Sequence, residues 1–153
     1  MDDLDNRILN ELQNKFPLAE RPYEVLAEQL GISEQMLWQR VEKMVANGRI
    51  RRLGASLSSH ELGFYSTLAA VSVKASLIEK ASEVIAEFTE VTHSYLRKDD
   101  FNIWFTIIAC DQKRIAEILN EIQTHLSLNS SKIINLPMKK QFKLDARFNA
   151  TTQ

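Results

Sequence analysis

The spacing of apolar residues changes character near Gly54 and divides the chain into two stretches. In the first, Leu4, Ile8 and Leu12 recur at helical spacing, and Pro17 follows closely enough to close that helix. Pro22 suits a first helical turn. Val25, Leu26 and Leu30 share a face behind it, and Gly31 stands where the backbone must turn left-handed to leave the helix. Ser33 is a good N-cap for a third helix, with Leu37, Val41, Met44 and Val45 as its apolar stripe and Gly48 as its stop. Helix, short turn with Gly31, helix is a helix-turn-helix arrangement, and Ile50 to Leu53 predicts a short wing strand after it.

The second stretch has a different rhythm. Phe64 to Lys74 is rich in β-branched and small residues and predicts a strand. Ile78, Ala81, Val84, Ile85 and Phe88 form a helical stripe. Val91 to Arg97 alternates, and Phe101 to Cys110 is dense enough in apolar residues for a central strand. The polar turn Lys98-Asp99-Asp100 joins these two as a hairpin. Ile115, Ile118, Leu119 and Ile122 mark another helix, and Phe142 to Phe148 predicts a last strand. The order β-α-β-β-α-β is the ferredoxin-like plan.

The expected architecture is therefore α+β. A winged helix-turn-helix domain covers residues 1–54. A ferredoxin-like α/β domain for substrate binding and dimerisation covers 55–153, with a loose tail from Asn149 to Gln153. A four-stranded sheet with helices on one face leaves the other face open, so a dimer is expected. Phe64 or Tyr65, and one face of the 101–110 strand, should help to cover it.

Charge alters the meaning of the helix-turn-helix. The 153 residues carry a net charge of −1, so nothing global draws the chain to nucleic acid or an anionic membrane. Met1 to Leu53 holds eight Lys/Arg against nine Asp/Glu, and the candidate reading helix opens with Glu34, Gln35, Met36 and, a turn later, Trp38. DNA readers present Arg, Lys, Asn or Gln to base edges within a basic surround. Packing or dimerisation is the better use of this module, and no specific DNA binding is expected. Cys110 is the only cysteine, which excludes intrachain disulfides; at the end of an apolar run it reads as a buried, inert thiol. No apolar stretch is long enough to span a bilayer, and the acidic first residues lack the apolar core of a signal peptide. A cytoplasmic location is expected. Spacings for zinc, a P-loop, a dinucleotide fingerprint or a Ser/His/Asp site are absent.

The segment Val91-Thr92-His93-Ser94-Tyr95-Leu96-Arg97 carries most of the chemistry. Strand alternation puts His93, Tyr95 and Arg97 on one face. An imidazole, a phenol and a fixed cation together suit an anionic ligand and proton transfer. Asn102 and Trp104 come from the opposite hairpin arm, the tryptophan offering a flat surface to a planar ligand. Arg51 and Arg52 lie at the domain junction. Lys139, Lys140, Lys143 and Arg147 cluster near the C-terminus, where Lys143 and Arg147 can share a strand face; such cations suit carboxylates. A polar sheet face with a satisfied histidine accounts for the same strand equally well. His60 and His125 are unremarkable.

These residues also carry a resemblance. Leu4-Asp5-Asn6-Arg7-Ile8-Leu9, Leu26 through Ser33, Arg40-Val41 and Gly48-Arg49-Ile50 resemble the Lrp/AsnC family, and the second stretch resembles its effector domain. Arg51-Arg52-Leu53-Gly54-Ala55, Leu62-Gly63-Phe64, Val91 to Arg97, Phe101-Asn102-Ile103-Trp104-Phe105-Thr106, Leu136-Pro137 and Phe142-Lys143-Leu144 resemble siroheme decarboxylases of the Ahb and Nir type. That resemblance implies pairing of two related subunits, as a heterodimer with a paralogue or with a second copy. It also implies removal of the carboxyl groups of two acetate side chains of siroheme. The product, 12,18-didecarboxysiroheme, serves alternative heme synthesis or the heme of nitrite reductase. It implies no cofactor beyond the iron tetrapyrrole substrate, siroheme or heme being the bound species. His93 and Tyr95 become the catalytic candidates, Arg51, Arg52, Arg97, Asn102, Trp104 and Lys143 the substrate-binding ones, and His93 the candidate iron ligand. The alternatives are a transcription regulator sensing a small molecule and a non-catalytic partner subunit.

Overall fold

In the computed structural model, which describes residues 2–143, 145, 147, 148 and 150, the chain forms two compact units. One comprises residues 1–55 together with the C-terminal segment from Lys143, and the other residues 56–142. The division near residue 55 lies where the sequence changes rhythm. The assignment of the C-terminal segment to the first unit does not follow the expected boundaries.

Three helices build the first unit: α1 (Asp3–Asn14), α2 (Pro22–Leu30) and α3 (Glu34–Ala46). Their ends follow local chemistry. Asp2 caps α1, accepting the Asp5 N–H at 2.8 Å while the Asp5 carboxylate accepts the Asp2 N–H, so two otherwise orphaned donors are satisfied reciprocally. Gly31 leaves α2 at φ 70°, and the Ser33 hydroxyl accepts from the Met36 N–H at the start of α3. Ile8, Leu26, Leu37, Val41 and Met44 close the core between the helices. The predicted wing is not a strand. Gly48 turns the chain at φ 75°, and the Ile50 N–H returns to the Met44 carbonyl while its side chain is buried against the helices. With its donor used in this helix exit, and no strand beside it, the segment has no ladder to join. The C-terminal segment packs onto α1: the Gln13 amide reads both backbone groups of Phe148, Asn10 accepts from the Ala150 N–H at 3.0 Å, and Ala150 is buried in the core. The rest of the expected loose tail lies outside the described residues.

In the second unit β1 (Tyr65–Val71), α4 (Ile78–Ala86), β2 (Val91–Leu96), β3 (Ile103–Ala109), α5 (Gln112–His125) and β4 (Ile133–Pro137) follow in order. The sheet is antiparallel, in the order β2-β3-β1-β4. This is the ferredoxin-like plan, but its last strand is not the expected one. Ile133–Pro137 pairs with β1, whereas the described residues between Phe142 and Phe148 form no strand. Lys143 and Arg147 therefore share no strand face, and the Arg147 guanidinium turns back on Asp145 at 2.8 Å.

Alternation decides the faces. Ala69, Val71, Phe105, Ile107 and Ala109 are buried under Ala81 and Ile85 of α4 and Ile115, Ile118 and Ile122 of α5. Burying a side chain such as Phe105 or Ile107 contributes about 1.5–3 kcal/mol. The alternate residues of β3, Trp104, Thr106 and Ile108, are half-buried on the opposite face. There they neighbour Ser66, Leu68 and Ala70 of β1 and Ile134 and Leu136 of β4. Tyr65, which was expected to help cover this face, pairs with Ala109 and so lies on the helix side. Cys110 follows the end of β3 and is exposed rather than buried, because Ala109 is the inward residue and the next position falls on the other side.

One ion pair fastens α5 to the start of β2: Arg114 Nε lies 2.7 Å from Glu90 Oε1. The guanidinium holds the Glu90 carboxyl below its ordinary value. A carboxyl whose folded pKa is depressed stabilises above its unfolded pKa, and that contribution is lost as pH falls through the folded value. Glu90→Gln should therefore lower the urea midpoint at neutral pH. The difference from wild type should shrink as pH is taken below about 4.5, the ordinary glutamate value. Equal midpoints at neutral pH would remove this pair from the account of stability.

Candidate functional site

Strand β2 is the edge strand beside β3, and its first turn of pairing is irregular. Val91 pairs with Ile107 but His93 pairs with Thr106, so Thr92 is an extra residue and the strand carries a bulge. The bulge changes the parity. Val91 packs on the helix-side core, yet His93, two residues on, faces the open side with Tyr95, opposite Thr106 and Trp104. The His93 and Tyr95 rings lie 6.3 Å apart, inclined by 25°, and the Arg97 guanidinium lies 5.9 Å from the Tyr95 ring. An imidazole, a phenol and a cation thus run in a row along an exposed edge.

Beside that row a shallow depression of about 510 Å³ is lined by Leu68, Tyr95, Arg97, Lys98, Asp99, Trp104 and Thr106, with Phe105 beneath. Trp104 donates its indole N–H to the Phe101 carbonyl at 2.7 Å, which pins the ring in the depression wall. The row and the depression overlap at Tyr95 and Arg97, while His93 stands on the far side of Tyr95 and does not line the depression. The arrangement offers an apolar floor, an end where the two cations Arg97 and Lys98 outnumber the Asp99 carboxylate, and a titratable ring beside it. A flat anionic ligand matches those features.

The remaining candidates fall elsewhere. Asn102 has both amide atoms engaged by Val73, accepting its N–H at 3.1 Å and donating to its carbonyl at 2.7 Å. Its amide latches the hairpin to the segment that follows β1. Arg51 and Arg52 are exposed on the segment that follows α3 in the first unit, and Lys143 is exposed at the start of the segment assigned to that unit. Lys98 was read only as a turn residue but extends the cationic end of the depression. Leu68 could not be paired with Trp104 and Thr106 before the β1–β3 register was known. Among the described residues no cluster of His, Cys, Asp and Glu is arranged to hold a metal ion, and no helix is long and apolar enough to cross a membrane.

In the first unit two charged residues of the third helix are paired within the unit. Arg40 of α3 lies 2.7 Å from both Asp2 and Asp5, and Glu34 lies 3.4 Å from Arg21. Trp38 packs on Tyr23 with ring centroids 4.2 Å apart.

The fold and site define a two-module α+β protein of the Lrp/AsnC type. Residues 5–51 match the model of the siroheme decarboxylase NirDL-like helix-turn-helix domain, and residues 61–143 match the AsnC-like ligand-binding domain. The Escherichia coli AsnC structure superposes with a TM-score of 0.79 at 24% identity over 96% of this chain and 97% of that one, a likeness of fold. The siroheme decarboxylase alpha subunit of Desulfovibrio desulfuricans is 40% identical over 97% of this chain and 84% of its own length. The siroheme decarboxylase NirD subunit of Pseudomonas aeruginosa is 34% identical over 97% of this chain and 96% of its own. The crystal structure of the siroheme decarboxylase NirDL in co-complex with an iron-uroporphyrin III analogue superposes with a TM-score of 0.69 at 27% identity. That match covers 88% of this chain and 44% of that one. The chain belongs to the siroheme decarboxylase family.

The open face continues from Leu68, which lines the depression and is 43% exposed, to its neighbour Leu136 on the far edge strand, 48% exposed. Such a face is seldom left in water. Leu136→Asp, on the edge strand away from the depression, should shift the sedimentation coefficient toward that of a monomer while leaving the far-ultraviolet circular dichroism unchanged. An unaltered sedimentation profile would mean that this face takes no part in pairing.

Proposed function

We propose that the chain is one subunit of a cytoplasmic siroheme decarboxylase, a carbon-carbon lyase that converts siroheme to 12,18-didecarboxysiroheme. In this reading it acts paired with a paralogous subunit or a second copy, in alternative heme synthesis or in making the heme of nitrite reductase. The observation that carries the reading is the His93-Tyr95-Arg97 row beside a flat depression with a cationic end. Family membership and the subunit names of the relatives support it.

The chemistry follows from the substrate. Siroheme is a planar macrocycle bearing eight carboxylates, so its binding calls for several cations. Arg97 with Lys98 serves one edge of it. Trp104 and Tyr95 give the ring flat partners. In the reaction the bond between an acetate methylene and its carboxyl carbon breaks and carbon dioxide leaves. The electron pair stays on the methylene carbon, delocalised into the macrocycle, until a proton converts that carbon to a methyl group. The conjugated ring does the work of an electron sink, so no separate organic cofactor is required. The protein has to orient the carboxylate and deliver the proton. His93 is assigned as proton donor, with Tyr95 assisting.

The His93→Ala variant tests this directly. In anaerobic incubation of the paired complex with siroheme, followed by mass analysis of the tetrapyrrole, turnover should fall by about 10²–10⁴-fold. Binding should weaken much less. If His93 ligates the iron instead, the absorption spectrum of bound siroheme changes in the variant as well. Wild-type turnover by His93→Ala would overturn the assignment and move the chemistry to the partner subunit.

A DNA-binding regulator is the competing function. The pairing of Arg40 with Asp2 and Asp5, and of Glu34 with Arg21, favours a helix-turn-helix used for packing. Selection from random duplexes at physiological salt should return no consensus site. A reproducible palindrome bound at nanomolar affinity would replace the enzyme with the regulator.

A further inference from the structure

The bulge in β2 brings Thr92 against His93 in a way that constrains where the imidazole carries its hydrogen. The Thr92 hydroxyl oxygen lies 3.4 Å from the Thr106 carbonyl oxygen and 3.0 Å from His93 Nδ1. A hydroxyl has one hydrogen to donate and two lone pairs with which to accept. Placed on the Thr106 carbonyl, which can only accept, the Thr92 hydrogen leaves the hydroxyl lone pairs to face His93. The contact with His93 is then filled in the other sense, with Nδ1–H donating to the Thr92 oxygen. Hydrogen bonding by one ring nitrogen decides the role of the other. With Nδ1 protonated, Nε2 is the nitrogen that gains and loses the mobile hydrogen, and the nitrogen with a free lone pair when the ring is neutral.

We propose that Thr92 is a positioning residue for the decarboxylation, holding His93 as the Nδ1–H tautomer so that Nε2 is the working atom. The proposal rests on the assignment of His93 as proton donor made above. The fold supports it through a second feature. Thr92 is the extra residue of the bulge, without which His93 would share the face of Val91 and turn toward the helix-side core. Bulges concentrate where a side chain must be re-aimed. Here one residue both re-aims the imidazole and supplies its hydrogen-bond partner. The contact is local to two adjacent residues and one cross-strand carbonyl, so it requires nothing from the rest of the assembly.

Two substitutions separate positioning from simple strand structure. Thr92→Val keeps the β-branched shape and removes the acceptor; Thr92→Ser keeps the hydroxyl and removes the methyl group. The ring-nitrogen NMR signals of histidine-labelled protein report the tautomer of His93 without substrate, and comparison with His93→Ala assigns them among the three histidines. Thr92→Val should lower the Nδ1–H population and reduce kcat by about 10–100-fold, the range seen when a group orienting a functional histidine is removed. KM should change little, and Thr92→Ser should restore both the NMR pattern and kcat. An unchanged tautomer in Thr92→Val overturns the proposal whatever the activity. A shifted tautomer with wild-type kcat also overturns it, since the orientation would then serve no step. Failure of the underlying assignment shows itself differently, as full turnover in His93→Ala.

Discussion

Everything on the second unit depends on which residues of β1 and β3 are buried by α4 and α5. A strand has a side-chain period of two, so committing Ala69, Val71, Phe105, Ile107 and Ala109 to the helices commits Leu68, Trp104 and Thr106 to the other side. The open face that carries the candidate site is thus defined by the core on the opposite side of the same strands. A one-residue slip would exchange the two sets and place Trp104 and Thr106 under the helices. The β1–β3 ladder, seven residue pairs long and central in the sheet, holds that register.

The bulge at Thr92 is the exception that this regular frame accommodates. Interior strands cannot gain a residue without disturbing pairing on both sides, but β2 is an edge and pairs only with β3. An edge strand can therefore keep Val91 in the core and still present His93 outward. The row then lies on the same open face as Trp104 and Leu68 of the central strands.

The first unit has kept the geometry of a DNA-binding module while using its charges for itself. Arg40, on the helix that would read bases, joins Asp2 and Asp5 at the start of α1, and the arginine holds the Asp2 carboxyl below its ordinary value. Trp38, Tyr23 and Phe16 form a chain of ring contacts across the surface. The balanced charge of this stretch is visible in the composition, but the pairing of those charges is a property of the fold.

What the sequence determined by itself was local. Ser33, Gly31, Gly48 and Pro22 mark helix ends because capping and left-handed turns depend on one or two neighbouring residues. The helical and strand periods identify α4, α5 and β3 because each buries its face along a contiguous run. The placing of His93 and Tyr95 within one strand, with Arg97 just after it, was legible for the same reason. Tertiary structure decided whatever required a partner distant in the chain. Ile133–Pro137 rather than 142–148 completes the sheet because only the former finds the free edge of β1. Ile50 becomes a core residue because helix α3 takes its N–H. Asn102 is spent on Val73, and Ala150 is drawn into the helical core by Asn10. Short apolar runs and single polar side chains fit several surroundings equally well, and only long-range pairing, with its demand that every buried donor and acceptor be matched, selects one of them.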